Sequence, residues 1–470
     1  MLDQQWRGLV DKALKGEPLA TLNSATEEGI TLEPLYAAGD APSLTCRGGA
    51  TRWTVAQRVD HPNAEMAYTQ TMAELEGGAS GLCLVARGAP ASFGYGIDLD
   101  HLPTILGDVL VDAIRLTLEP SPARARSARA LAHYLSERSE LNRLITVDFG
   151  LDAPSMLAAT GGLRGTAETT RERQAVHFAE LKDHGFGGTI YRADGRVIHN
   201  AGGTDALELG FVLASLVFAM KSGSNPQEAA EGTMLGVALD ADQFAGIAKQ
   251  RALRILHTKL IEMAGLEAFK PHIHAETSRR MLTRLDSHVN MLRTTTAVFA
   301  AAVGGADAIT SLPFTWPHGL PEAFARRNAR NTQLVLQEES RLFQVNDPAA
   351  GSGLFESYTR ALCDKAWSAF QAIEAEGGVI EALTSGHIQK AVRRAREECA
   401  EALRSGERHL TGTTMFQLAD EYPVEVDELS PTEERLKDGL ATYAEPLSFA
   451  PLDLDALGTA EIGTGSGDGH

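Results

Sequence analysis

The sequence predicts an α/β fold: an eight-stranded (β/α) barrel of the TIM type with an N-terminal arm and a C-terminal helical extension. Two observations predict it. Eight short apolar or β-branched runs alternate with helical segments between residues 53 and 342, and after residue 352 the pattern changes to helix alone. A strand followed by a helix returns the chain as a parallel neighbour, and eight such units suit a closed barrel. An open doubly wound sheet is the competing arrangement.

Residues 1–45 form the arm. They begin with a short amphipathic helix, Gln5 to Leu14, and loosen into Gly, Pro and Thr, with Leu35 and Tyr36 as apolar anchors. Such anchors gain by burial on the barrel or on a partner chain, and a disordered leader is the other reading. The barrel, 46–345, draws strands from residues 53–55, 81–85, 114–118, 144–147, 189–191, 235–239, 272–274 and 309–312. Helices fit at 64–76, 121–138, 167–184, 205–220, 243–263, 287–303 and 321–342. Asp286 stands where a helix cap belongs, Val289, Leu292, Val298 and Val303 fall near one face of the following helix, and Gly304-Gly305 ends it. Pro321 suits the first turn of the next. The extension, 346–410, reads as helices at 355–376, 378–386 and 388–404. Residues 411–470 read as linker and flexible tail, closing on Gly463-Thr464-Gly465-Ser466-Gly467-Asp468-Gly469-His470. Residues 82–85, 144–147, 189–191 and 237–239 hold enough Leu, Val, Ile and Tyr to fill a barrel axis from either face. A packed aliphatic axis without a through-channel is therefore expected.

The formal charge of −19, spread without a Lys/Arg run, argues against a nucleic-acid partner. Cys46, Cys83, Cys363 and Cys399 form no close pair, as expected of reduced thiols. The most apolar run, 210–220, is shorter than the ~20 residues a bilayer requires and reads as a buried helix. Asp3 and Trp6 stand where a secretion signal would carry basic and then apolar residues, so the expected location is cytoplasmic, with no membrane partner.

Reactive groups in a barrel gather where strands end. By position the candidates are Asp148, Arg192, Asp240, His274, Glu276 and the loop Thr315-Trp316-Pro317-His318, residue types that equally cap helices and turn loops. His272, His274 and Glu276 share a strand face, as a metal-dependent hydrolase would require, but no further ligands at supporting spacing accompany them, and no metal is expected. Lys249, Arg251 and Arg254 would either meet phosphates at a barrel rim or form a solvated helix face. No Gly-rich phosphate loop is present.

An ordered set of blocks carries a resemblance. It runs Phe244-Ala245-Gly246-Ile247-Ala248-Lys249 with Arg251 and Arg254, His274-Ala275-Glu276-Thr277-Ser278, Asn290-Met291-Leu292-Arg293-Thr294-Thr295, Gly304-Gly305-Ala306, Arg330-Asn331-Thr332-Gln333, Asp347-Pro348-Ala349-Ala350-Gly351-Ser352 and Ile373-Glu374-Ala375-Glu376-Gly377-Gly378. In this order the blocks resemble the cobalamin-dependent acyl-CoA mutases, the methylmalonyl-CoA mutase family above all. The resemblance implies a barrel threaded by the CoA pantetheine beneath a separate cobalamin-binding domain, and a radical 1,2-shift in which the protein holds and shields while the cofactor reacts. It also implies the substrate-contact positions, here the degenerate set Thr51, His199, Lys249, Arg251, Arg254, His274, Glu276 and Ser278.

Three departures shape what the resemblance implies. The first barrel strand of the catalytic chains carries an arginine and a tyrosine for substrate and radical; the aligned positions here are Thr51 and Arg58. The family's catalytic histidine aligns with Val197, and although His199 could be a slipped substitute, the match of Ala201-Gly202 argues against it. The Asp-x-His-x-x-Gly cobalamin loop and its domain are not seen, and Asp468-Gly469-His470 reads as a chance match. The implied role is the small, non-catalytic subunit of a heterodimer. Its large catalytic partner would carry adenosylcobalamin and handle acyl-CoA, and this chain would bind no cofactor by itself. The alternatives are a mutase barrel that borrows a separate cobalamin-binding chain and a stand-alone metal-dependent barrel hydrolase.

Overall fold

The computed structural model describes residues 2–39, 51–123, 125–138, 142–223, 225–432 and 441–447; Cys46 and the closing 463–470 stretch lie outside them. Its centre is a parallel barrel of β1 (Thr54–Val59), β2 (Gly81–Leu84), β3 (Arg115–Leu118), β4 (Thr146–Asp148), β5 (Tyr191–Asp194), β6 (Thr233–Leu239), β7 (His272–Thr277) and β8 (Ala308–Thr310). The hydrogen-bonded order is β4-β3-β2-β1-β8-β7-β6-β5. The β4–β5 seam closes through parallel bridges Thr146–Gly187 and Leu151–Tyr191, with Phe149 N–H donating to Thr189 O at 2.9 Å. Closure leaves no unpaired strand edge.

Around the barrel run α1 (Ala64–Glu76), α2 (Ala125–Arg138), α3 (Ala153–Thr160), α4 (Ala167–Asp183), α5 (Arg196–Asn200), α6 (Asp205–Met220), α7 (Gln243–Met263), α8 (Val289–Gly304) and α9 (Ala323–Leu334). Asn63, Asp152, Thr166, Thr204 and Asp242 cap five of them by accepting a backbone N–H three residues on. The cap expected at Asp286 is not formed: Asp286 is left-handed, with φ of 46°, and α8 begins at Val289. Leu292, expected on the inner face of α8, points outward and is 69% exposed. The helix expected from Pro321 starts at Ala323 behind the Glu322 cap.

The expectation of an aliphatic axis is overturned. Strand side chains alternate faces, and the aliphatic set of every strand points away from the axis. Leu82, Leu84, Leu116, Leu118 and Val147 pack with Leu131 and Leu135 of α2 and Leu181 of α4. Leu235, Val237, Leu239, Ile273 and Ile309 pack with Leu209 and Leu213 of α6, Leu253 of α7 and Val298 of α8. Apart from Met234, the alternate positions, which face the axis, are polar, charged or small: Cys83, Thr117, Arg192, Gly236, His274 and Thr310. Contacts between strands that are not neighbours prove the direction, since Cys83 Sγ of β2 meets Thr310 Oγ1 of β8 at 3.3 Å across the barrel.

The extension consists of α10 (Gly353–Ala375), α11 (Val379–Thr384) and α12 (His387–Arg404). It covers α6, which is buried along almost its whole length, as its unbroken apolar run requires. Among the described residues no helix is long and apolar enough to cross a membrane. Beyond residue 411 the described chain stays on the barrel: Ala441–Thr442 pairs antiparallel with Gly162–Leu163, and Leu447 is buried.

The arm carries the helix Leu2–Ala13 and a small hairpin, Ser24–Ala25 with Thr31–Leu32, whose Ile30 joins the core. Its end passes over the start of α10, where Gly39 N–H donates to Gly351 O at 2.9 Å. A β-carbon at Gly353 would stand 1.7 Å from Ala37 O, so only glycine permits this crossing. Gly353→Ala is expected to lift residues 33–39 off α10 and to cost about 1–3 kcal/mol. Faster hydrogen exchange and proteolysis confined to the arm would be the readout; unchanged arm protection would contradict the account.

Candidate functional site

The C-terminal ends of the strands converge on a buried ionic cluster. Arg58, next to last in β1, donates from Nε to Asp60 Oδ2 at 3.1 Å, from Nη1 to Glu276 Oε2 at 3.3 Å and from Nη2 to Ala91 O at 2.5 Å. Its guanidinium lies 5.2 Å from the Trp316 ring. Arg196, the first residue of α5, donates from Nη2 to Glu119 Oε2 and Asp194 Oδ2, both at 2.6 Å, and its Nη1 sits 3.0 Å from Glu276 Oε1. Arg192 of β5 reaches Glu119 Oε1 at 3.2 Å, and Asp60 also accepts from Arg326 at 2.7 Å. Four arginines thus face four carboxylates, Asp60, Glu119, Asp194 and Glu276, and all eight residues are buried. Strand β4 lies between Arg192 and Glu119, and strand β8 between Arg58 and Glu276, so these pairs run through the barrel interior.

The charges hold one another ionised. Burial pushes the Glu119 carboxyl up, but Arg196 and Arg192 outweigh it and hold it well below the usual carboxylate range. Asp60 and Asp194 are lowered in the same way, the first by Arg326 and Arg58, the second by Arg192 and Arg196. Beneath this layer His274 Nε2 meets Thr310 Oγ1 at 2.8 Å, while among the described residues its Nδ1 has no partner. Burial, with Arg192 and Arg196 nearby, presses His274 well below its ordinary pKa, so it is neutral. Burial pushes the Cys83 thiol up to about 12. Lower still, Arg115 forks onto Asp148 at 2.6 and 2.7 Å, and Thr189 Oγ1 donates to the same carboxylate at 2.7 Å. His272 is held down to about 4 by burial and Arg115. At the N-terminal mouth a hollow of ≈ 500 Å³ is lined by Arg52, Trp53, Ser80, Arg115 and Thr146.

At the C-terminal mouth the remaining space is a cavity of ≈ 20 Å³ lined by Phe93, Glu119, Ser155, Arg196, Val197 and Asn200. That is room for about one water molecule. Among the described residues Ser155 Oγ and Asn200 Oδ1 have no partner, as a bound water would supply.

The candidates named from sequence divide into several places. Glu276 joins the ionic cluster, with Arg192 beside it, and Trp316 of the 315–318 loop covers Arg58; His274 and Asp148 lie deeper on the axis. His199, Ser278, Lys249 and Asp240 form a second buried group: His199 Nε2 meets Ser278 Oγ at 2.9 Å, and Asp240 pairs with Arg280 at 3.3 Å. Lys249 Nζ is 2.6 Å from both Asp205 and Glu208, which hold it above its ordinary pKa despite burial. His199, Asp205 and Glu208 have a metal-ligand arrangement, but the Lys249 ammonium already pairs with both carboxylates.

Lys249, Arg251 and Arg254 make neither a phosphate-binding rim nor a solvated face; all three are buried and point to different partners. Arg251 ties α7 to the extension through Asp347 at 2.9 Å and Glu356 at 2.8 Å, and Arg254 holds Gly305 O and Asp307 at the opposite end of the barrel. Thr51 is exposed ahead of β1, away from the cluster. Glu119, Asp194, Arg196 and Asp60 were not singled out from sequence, although Glu119 directly follows the apolar run 114–118 and so stands at a strand end. Nor was Arg279, whose guanidinium sits 3.6 Å over the Phe93 ring at the mouth and is lowered to about 10 by burial and by Arg58.

Residues 189–444 match the family described as methylmalonyl-CoA mutase. The chain is 33% identical to the methylmalonyl-CoA mutase small subunit of Streptomyces virginiae, over 90% of this chain and 71% of that one. It is 31% identical to the small subunit from Propionibacterium freudenreichii subsp. shermanii, over 96% and 74%. A methylmalonyl-CoA mutase of Cereibacter sphaeroides is 27% identical over 97% and 71%.

Removing one partner from a closed buried ion cluster leaves its counter-charges exposed to a low dielectric. Glu119→Gln, which keeps the shape, is expected to lower unfolding stability by roughly 3–5 kcal/mol, read as a shift in urea midpoint; a change below about 1 kcal/mol would mean the cluster is solvated. The pH dependence has a definite sign. Glu119, Asp60 and Asp194 have folded pKa values below their unfolded ones near 4, so their stabilisation is complete above about pH 5 and is lost as pH falls through the depressed values. The thermal midpoint should drop on acidification below that point, and less steeply in Glu119→Gln.

Proposed function

Because the chain belongs to the methylmalonyl-CoA mutase family, we propose that it serves as the small subunit of a heteromeric methylmalonyl-CoA mutase, without turnover of its own, supporting a large subunit that interconverts methylmalonyl-CoA and succinyl-CoA. The observation that carries this reading is the ionic cluster at the barrel mouth. Arg58 occupies the position where the resemblance places a phenol. It is committed to Asp60, Glu276 and Ala91 O, so it is not available to a substrate. Val197 occupies the position of the histidine that would donate to the thioester carbonyl, and a buried aliphatic side chain has no donor.

Cobalamin, when bound, supplies the radical in this family's chemistry. The described residues do not fit that group here: the mouth holds room for about one water, and the paired charges of Arg58, Arg196 and Glu276 fill the rest of it. On this reading adenosylcobalamin and acyl-CoA belong to the large subunit. This chain contributes a rigid barrel and contact surface, including the exposed Leu9, Leu22 and Leu35 of the arm.

The purified chain is expected to show no mutase turnover above a mock purification with added adenosylcobalamin, and no saturable micromolar binding of succinyl-CoA in a calorimetric titration. Co-expression with a large subunit should give a heteromer by light scattering, with turnover. Turnover or stoichiometric thioester binding by the isolated chain would overturn the non-catalytic role. A monodisperse monomer that gains nothing from the large subunit would remove the subunit reading.

A further inference from the structure

Outside the barrel, a groove of ≈ 220 Å³ lies between the N-terminal halves of α2 and α4. In a chain of net charge −19 its rim is basic. Arg126 and Arg129 lie one turn apart on α2, Arg173 and His177 one turn apart on the facing side of α4, and Arg164 comes from the loop before α4. The four arginines are exposed at the rim. Arg129 pairs with Glu180 at 2.7 Å and also meets His177 at 2.9 Å. Arg173 reaches only Thr169 O and Thr170 Oγ1, and among the described residues no carboxylate lies in ion-pair range of Arg126 or Arg173.

Two like-charged helix faces set against each other are unfavourable unless something negative stands between them. The carboxylate in the lining, Asp152, does not fill that role, because its two oxygens accept the backbone N–H groups of Ser155 and Asp194, each at 2.9 Å. Burial, followed by the neighbouring Asp194, raises it to about 7, so at neutral pH it carries only part of a negative charge. Gln174 is a second, independent sign of an occupant. It lines the groove and is only 7% exposed, and among the described residues its side-chain amide has no hydrogen-bond partner, leaving it open to the groove. Pro122, Ala123 and Leu151 supply an apolar wall beside these donors.

We propose that this groove binds a small phosphoanhydride anion, either free pyrophosphate or the diphosphate of a nucleotide. Planar guanidinium forks from separate segments match adjacent phosphate oxygens, the Gln174 amide adds a neutral donor, and the helix N-termini of α2 and α4 add positive potential. The concave, dense charge suits a compact dianion or trianion better than a flat protein surface. The inference does not depend on the subunit role, since none of the groove's lining residues belongs to the ionic cluster.

The test is calorimetric titration of the purified full chain with sodium pyrophosphate, ADP and, as the uncharged control, adenosine at low ionic strength. Saturable one-to-one binding of pyrophosphate or ADP, absent for adenosine, is expected to weaken about tenfold or more in Arg126→Glu/Arg173→Glu and on raising salt. Binding of pyrophosphate and ADP alike would assign the site to the phosphates alone, and tighter binding of ADP would assign it to a nucleotide. Arg126→Gln/Arg173→Gln guards against unfolding by charge reversal, and a matched thermal melt confirms the fold. Unchanged affinity in both variants, or no saturable heat with either anion, would overturn the proposal.

Discussion

Four arginines and four carboxylates buried across the mouth of the barrel set the terms for the rest of the structure. A buried charge costs several kcal/mol unless it is paired and its hydrogen bonds are complete, so every member must be delivered to its place by a rigid element. Arg58 and Arg192 come from strands, Arg196 from the first turn of a short helix, Arg326 from α9, and Glu119 and Glu276 from positions after or within strands. The cluster therefore tests the register of β1, β3, β5 and β7 together. A slip of one residue in any of them would send an ionised group into the aliphatic layer and an aliphatic group onto the axis.

The same alternation explains why the hydrophobic core is a sleeve. The aliphatic face of each strand meets α2, α4, α6, α7 and α8, while the axis stacks Arg115–Asp148, His274–Thr310–Cys83 and then the ionic cluster. An axis lined with small polar residues would be an open passage. Filling it with paired charges closes it, and pairs such as Arg192–Glu119 and Arg58–Glu276 tie together strands that are not neighbours.

Closure has a functional side on the proposed reading. The arginine in the place of the phenol is a structural member of the barrel, and the valine in the place of the histidine lines a cavity too small for substrate. Ion pairs have also been recruited outside the axis: Lys249 holds two acids at the start of α6, and Arg251 anchors the extension. The residues that a sequence reader would group as one basic helix face are thus three separate fastenings between layers.

Much of this was legible in the chain itself. The eight strands and their helices follow from apolar runs at strand length alternating with helical segments, and the family follows from ordered blocks such as His274-Ala275-Glu276-Thr277-Ser278 and Asp347-Pro348-Ala349-Ala350-Gly351-Ser352. Arg58 and Val197 were readable as departures because their neighbours align. What the sequence did not determine was which face of each strand turned inward, since Leu82-Cys83-Leu84 satisfies either register until the helices are placed against it. Nor could it pair Arg192 with Glu119 or Arg58 with Glu276, residues far apart in the chain that meet only because a closed barrel brings non-neighbouring strands to a common axis. Burial and pairing are properties of three-dimensional neighbours, and only the tertiary structure decided them.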